Sequence, residues 1–583
     1  MRQRPNHRSF YMVAAVLLTL MAGTIASTVA GQEAASGDAA FRAAVDEFIE
    51  SELRMFPERA TGLGDHRFDN RIDDLSADGV AEEILHATDW MAKFGAINPH
   101  TLSEANRADR DWLIARCDGE LLYTQKIRDY QRDPGMYLPT SAVYSLIKRN
   151  FAPLQSRMQS VTEREKAALK NFEYARTSLR PDEVAQVTVD INLEQMPATI
   201  DFFQKSLPEA FAQVPDGRSK IAFQEANQQL IAAIKAYEDW MQHDLRPHAT
   251  GRYAIGPEAY RRMLADADMV DLPLDRLEAI GVAELGRLQE QFRKTAAEID
   301  PKASPAQVAA ALAKDHPAAG DVIKEVNSGL ASIRAYVVAL HLATIPSEVP
   351  PIVAETPPFM RATTFASMDS PGPLEKSTEA YFYVTLPDPS WSASKTEQLL
   401  AFYSPPTISD TSVHEVYPGH YVQFLNNRLN PDAVRTIYHS GSNSEGWALY
   451  CEQMMLDEGL HGDNPRYRLA QLQMALMRAC RYLVGIRMHT QGMTVDEAAA
   501  FFEKNSYQTP HNARVEALRG TDDPGYLRYQ LGKLMILKLR EDLKQKEGAA
   551  FDLGKFHDDF LRQGAIPVPL IRRAMLGHTG SIL

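Results

Sequence analysis

Residues 411–429, TSVHEVYPGHYVQFLNNRL, and 440–454, SGSNSEGWALYCEQM, decide how this sequence is read. They hold His414, Glu415 and His420, with Glu445 following 25 residues after His420. A hydrolytic zinc centre takes neutral imidazoles and a carboxylate as ligands and keeps one position open. It also needs a base for the proton of the attacking water. The usual helical solution is H-E-x-x-H, in which i and i+4 share one face. Here i+4 is Pro418 and the second histidine stands at i+6. Six helical residues turn through a net of about 240°, so an unbroken helix would point His414 and His420 apart. Pro418 removes a ladder donor and Gly419 tolerates unusual dihedrals. The pair therefore predicts a break that returns both rings to one metal ion.

Working outward, Glu445 opens the run EGWALYCEQMMLDEG, where Glu445, Leu449 and Glu452 recur at i, i+4 and i+7. This spacing makes Glu445 the candidate third ligand and Glu452 the candidate partner that orients an imidazole. Gly446 beside Glu445 predicts a close approach to the metal-binding helix. Glu415 is the candidate general base. Further on, HNARVEALRGTDDPGYLRYQLGKLMILKLR (511–540) offers Tyr529 and Tyr526 as donors to a tetrahedral oxyanion, and Arg519 and Lys533 as cations for a substrate carboxylate. Tyr526, Tyr529 and Lys533 are spaced to share one helical face after the D-P-G turn. The competing readings are packed tyrosines, solvated cations and histidines that only pack a helix. His439 is an alternative ligand, while His461, His489 and His511 read as surface or structural histidines, with a place in the cleft as the alternative for His511.

The chain has 583 residues, 45% hydrophobic and 24% charged. That is ample for a buried core and long for a single unit, and it excludes a disordered, collagenous or disulfide-stapled chain. Acidic residues outnumber basic ones 76 to 62, a formal charge of −14. With no basic patch or recognition motif, nucleic acid is excluded as a partner. Arg2, Arg4 and Arg8, the apolar run Tyr11–Met21 and the small residues Thr28-Val29-Ala30 read as a signal peptide over 1–30, followed by a flexible lead over 31–40. Its removal takes away three arginines and no acid, leaving −17. No cysteine stands near the cleavage site to carry a lipid anchor. No later stretch reaches the ~20 apolar residues of a membrane helix, so stable membrane insertion of the mature chain is not expected. The expected location is the periplasm of a Gram-negative cell, or otherwise outside the cell. Cys117, Cys451 and Cys480 form no CxxC pair and read as small buried hydrophobes.

From Phe41 to about residue 345 the apolar spacing is helical, with helices over 162–177, 181–205 and 217–241 and a kink or split at Pro197. The proline-rich segment 346–358 stops the helices. Two strands are predicted after it, over 362–367 and 380–386, and helices then continue to the C-terminus. The fold class is mainly α with a small β-sheet just before the metal-binding segment. Residues 41–345 are expected to form one side of a cleft and 346–583 the catalytic region. Strand 380–386 is the candidate for aligning an extended peptide as a neighbouring strand.

HEVYPGH, EGWALY and PGYLRYQLGK, together with FPERATGLGDHRFDNRIDDLS, FFQKSLPEAF and GPEAYRRML, resemble the bacterial DUF885 family over roughly residues 40–570. Its members are regarded as relatives of zinc metallopeptidases. The resemblance implies a large multi-helical fold like that of the helical zinc peptidases, with its H-E-x-x-P-G-H pattern on His414, Glu415, Pro418, Gly419 and His420. It places the family's E-G-W segment on Glu445, Gly446 and Trp447, and its tyrosine before a glycine on Tyr529. Gly520 stands where many members carry an aromatic after the arginine. The expected function is a secreted zinc peptidase acting on peptides, as a carboxypeptidase or a dipeptidase. The alternatives are a zinc hydrolase of another amide or ester, and a helical scaffold without catalysis.

Overall fold

The computed structural model describes residues 37–357, 360–361 and 364–583. The expected signal peptide lies outside the described residues, as do residues 31–36 of the lead. Residues 37–40 of that lead already belong to the first helix, α1, over residues 37–55. The fold is mainly α with one three-stranded sheet. Helix α2, Gln186–Asp201, holds Pro197 inside one continuous element and is not split there. Helix α3 is Leu274–Ile299.

In the chain the sheet lies between the long N-terminal helices and the segment that carries His414 and His420. It comprises β1 (Ile352–Glu355), β2 (Ala366–Asp369) and β3 (Tyr381–Val384), in the order β1-β3-β2. β1 pairs parallel to β3 with Ile352 opposite Tyr381, and β2 pairs antiparallel with Ala366 opposite Val384. β3 is dense in aromatic and β-branched residues and buries Phe382, Tyr383 and Val384 in the centre of the sheet. β1 was not foreseen. It occupies the proline-free stretch between Pro351 and Pro357, where an edge strand meets no missing donor. Because β1 and β2 cover both sides of β3, the 380–386 strand has no edge to offer a peptide, contrary to the expectation above. The free edge nearest the site belongs to β2.

Six helices build the site: α4 (Pro405–Glu415), α5 (His420–Arg428), α6 (Gly441–Asp457), α7 (Pro465–Gln491), α8 (Pro510–Asp522) and α9 (Arg528–Glu547). Their ends follow local chemistry. Ser404, Asn464 and Thr509 cap α4, α7 and α8 ahead of a proline, and Gly492 at φ 77° ends α7. Every residue from Ala475 to Ile486 is buried, so α7 is surrounded on all sides within the C-terminal part of the chain. One core joins α1 and residues up to Ile127 with Tyr260–Ile571, while Tyr137–Ala249 build a second core of their own. All three cysteines are free and buried, and burial pushes the Cys117 thiol up to about 12. Among the described residues, no helix is long and apolar enough to cross a membrane.

Gly446 faces Gly532 of α9, not the helix that carries His414. A β-carbon at 446 would stand 2.5 Å from the Gly532 Cα. Gly446→Ala gains up to about 1 kcal/mol of helix propensity. The clash with backbone outweighs it, so urea unfolding is expected to show a net loss of about 1–3 kcal/mol. Unchanged stability would mean that α6 and α9 have slack at this crossing.

Candidate metal centre

The break between the histidines is built by the sequence V-Y-P-G. Val416 N and Tyr417 N both donate to Ser412 O, at 3.0 and 3.2 Å, closing the last turn of α4. Pro418 has no N–H to continue, and the Tyr417–Pro418 peptide is cis. Gly419 N turns back to Val413 O at 3.1 Å, and a β-carbon on Gly419 would collide with the His414 carbonyl. A new helix, α5, starts at His420. Trp447 Nε1 donates to Pro418 O at 2.9 Å, which ties the turn to α6 and so to Glu445.

The result is a convergence of three donors. His414 Nε2 and His420 Nε2 lie 3.7 and 3.6 Å from Glu445 Oε2, and all three ligand atoms fall within 4.8 Å of one another. Zinc bonded at about 2.0–2.2 Å in a tetrahedron sets its ligand atoms roughly 3.3–3.5 Å apart, so this donor set fits one ion. The imidazoles stand edge to face at 89°, with centroids 4.9 Å apart. Behind them, His414 Nδ1 donates to Glu452 Oε1 at 2.7 Å, where Glu452 is fully buried. Burial opposes charge on His414, yet the Glu445 and Glu452 carboxylates hold its imidazolium up to about 10. Burial likewise opposes charge on Glu445, and the two histidines keep its carboxyl well below the usual range. Asp410, one turn before His414, is buried beside Glu452. Burial and that second carboxylate push it well above the usual carboxylate range, so it keeps its proton.

The donors open onto a cavity of about 870 Å³. Glu415 and Tyr529 line it, as do Arg519 and the exposed His439 and His511. Arg519 Nη2 donates to the Tyr529 hydroxyl at 3.2 Å. Burial, then the Glu445 carboxylate, raise the Tyr529 phenol, so it stays protonated and can donate.

Two expected site residues do not reach the cavity. Tyr526 is fully buried, and its hydroxyl donates to Glu516 Oε2 at 2.6 Å; it lies in the turn before α9, so it shares no helical face with Tyr529. Lys533 is fully buried among the helices, under the electrostatic influence of Glu284 and Glu452, and burial lowers its ammonium. It is one turn further along α9 than Tyr529 and does not line the cavity.

The sequence reading missed Arg478, Arg481 and Glu516, all on the cavity wall. A signal was present, because the two arginines are the only charges in ALMRACRYLVGI (475–486), a run too apolar to carry them without purpose. It also missed the far walls. Glu194, Ala198 and Asp201 of α2 form one of them, and β2 with the stacked rings of Phe365 and Phe402 forms another.

The family described as "Bacterial protein of unknown function (DUF885)" matches residues 57–575, and the chain belongs to it. No curated protein matches. The fold is shared with a "putative lipoprotein of unknown function" from Shewanella oneidensis, at 24% identity and TM-score 0.78 over 92% of this chain and 99% of that one. A "putative lipoprotein" from Colwellia psychrerythraea is similar at 17% identity and TM-score 0.75, over 91% and 98% of the two chains. The likeness to an M32 carboxypeptidase from Deinococcus radiodurans R1 is remote, with 11% identity and TM-score 0.33 over 86% of this chain and 97% of that one.

Proposed function

We propose that this member of the DUF885 family is an exported, zinc-dependent peptidase of the carboxypeptidase or dipeptidase type. The observation that carries the reading is the convergence of His414, His420 and Glu445 at one cavity, with the Glu415 carboxylate beside them. Zinc bound there would polarise a substrate carbonyl and make water acidic enough to attack near neutral pH. Glu415 accepts the proton of the attacking water and returns it to the leaving amine. Tyr529 donates to the oxyanion, and Arg519, bonded to its hydroxyl, steadies the phenol. Glu452 fixes the tautomer and orientation of His414. The free edge of β2 on the cavity wall suits the backbone of an extended peptide. In this reading residues 346–583 carry the chemistry, and α2, from the 41–345 half, closes the cleft opposite.

Export is supported by the N-terminal signal pattern and by the lipoprotein description of the two similar structures. The first cysteine here is Cys117, so a lipid anchor has no attachment point near residue 30.

The test is elemental mass spectrometry on residues 31–583 purified without chelator, beside His414→Ala, followed by a peptide-library screen. Close to one zinc per chain is expected, absent from the variant, with hydrolysis abolished by chelation and restored by zinc. No bound metal after zinc is supplied would overturn the reading.

A further inference from the structure

The cavity wall beside Tyr529 holds more positive charge than it neutralises. Arg478 and Arg481 stand one turn apart on α7, and Glu516 and Arg519 one turn apart on α8. Arg481 is satisfied: its Nε and Nη2 donate to Glu516 at 2.6 and 2.7 Å, a buried two-pronged pair that Tyr526 also joins. Arg361, elsewhere on the wall, is paired with Glu355 and Asp388. Lys395 is exposed over the ring of Trp391.

Arg519 is different. Its guanidinium reaches the Tyr529 hydroxyl and lies 5.8 Å from the Tyr526 ring, with Arg481 close enough to repel it. Among the described residues no carboxylate lies within ion-pair distance; Glu516, already paired with Arg481, attracts it only from further off. Arg478 is also underused. It is buried, its Nη1 reaches only the Met474 carbonyl at 3.4 Å, its Nε has no hydrogen-bond partner, and its nearest carboxylate oxygen, on Glu452, is 3.8 Å away and already bonded to His414. Tyr529 is the shared neighbour of both arginines and of the ligand Glu445. Two guanidinium groups with spare planar donors, one of them buried, are costly without an anion. A single peptide residue spans about 3.5 Å, so an anion held beside Tyr529 belongs to the residue next to the bond being cut.

We infer that Arg519 and Arg478 bind the free α-carboxylate of the substrate's carboxy-terminal residue, so that the enzyme acts only at that end of a peptide. The inference rests on the peptidase reading above and selects one direction of attack within it. Of the two cations the sequence offered for this role it keeps Arg519 and drops Lys533, and it adds Arg478 from another helix.

The test uses zinc-loaded residues 31–583 and two matched mixtures, N-acetyl-Ala-Ala-X acids and the corresponding amides, with X neutral or acidic. The acids are expected to be cut about 100-fold faster or more, as for loss of one partner of a buried charge pair. Arg519→Met should raise KM for the acids with a smaller change in kcat and bring the acid-to-amide ratio towards one. Arg519→Lys should restore part of the ratio. Binding is read separately by calorimetry on metal-free Glu415→Gln protein, where N-acetyl-phenylalanine binds, its amide does not, and Arg519→Met removes the difference. Equal cutting of acids and amides overturns the inference while leaving the peptidase reading intact. Cutting of amides only where X is Asp or Glu overturns it too, because the carboxylate read is then a side chain. If nothing is cut but the acid binds through Arg519, the carboxylate site stands and the peptidase reading falls. If neither cutting nor binding distinguishes acid from amide, the site is absent.

Discussion

Glu415→Gln is expected to keep one zinc per chain and to lose about 10²- to 10⁴-fold in peptide hydrolysis, the usual range for removing a positioned base. The substitution conserves shape and removes only the capacity to take a proton. Glu415 is the last residue of α4 and lies half-buried on the cavity wall. Among the described residues it makes no hydrogen bond or ion pair. Nothing structural is therefore lost with its charge, and the metal-binding atoms, on His414, His420 and Glu445, are untouched. Metal content and kcat/KM measured on one preparation separate the two effects. Turnover close to wild type in a fully loaded variant would place the base elsewhere.

His420→Ala is expected to cost more metal affinity than the about 10- to 100-fold typical of removing an orienting partner such as Glu452. It deletes one of three donors, and the remaining pair, His414 and Glu445, stand 3.7 Å apart with no third donor grouped with them among the described residues. A chelator-competition titration measures the loss, with a circular dichroism spectrum to confirm that α5 still forms. Affinity equal to wild type would assign the second imidazole to another residue, and His439 on the same cavity is the one to examine. The wild-type titration carries a pH signature with a definite sign. His414 is held as the imidazolium up to about 10 in the metal-free site, so a metal ion must displace its proton. Affinity therefore rises with pH through the neutral range, by about tenfold per unit for one proton released, and a flat profile from pH 6 to 9 would mean that binding displaces no proton from His414.

Much of this site was legible in residue order. His414, Glu415 and His420 flank a Pro-Gly pair that cannot continue a helix, and Glu445 and Glu452 sit at i and i+7 of the next amphipathic run. Those are local facts of backbone chemistry and helical periodicity, and the folded chain keeps them. The same holds for the helical class, the strand at 381–384 and the buried cysteines, each set by propensity or apolar spacing within a few residues. The family resemblance was carried by the same short segments.

What only the tertiary structure decided is which polar groups meet water, the cavity or one another. Tyr526 and Lys533 lie within four residues of Tyr529 and carry polar hydrogen-bond donors as it does, yet both are buried, one against Glu516 and the other under the influence of Glu284 and Glu452. Gly446 reads as a close approach, but its partner, Gly532, is supplied from 86 residues further along the chain. Strand 381–384 reads as a peptide template until β1 and β2 cover both of its edges. Arg481 and Arg519 look alike in sequence; one is neutralised by Glu516 and the other is bonded only to the Tyr529 hydroxyl, because the desolvation and pairing of a charge depend on elements brought from distant parts of the chain. Local sequence therefore determined which residues could bind a metal, and long-range packing determined which of their neighbours are left to bind a substrate.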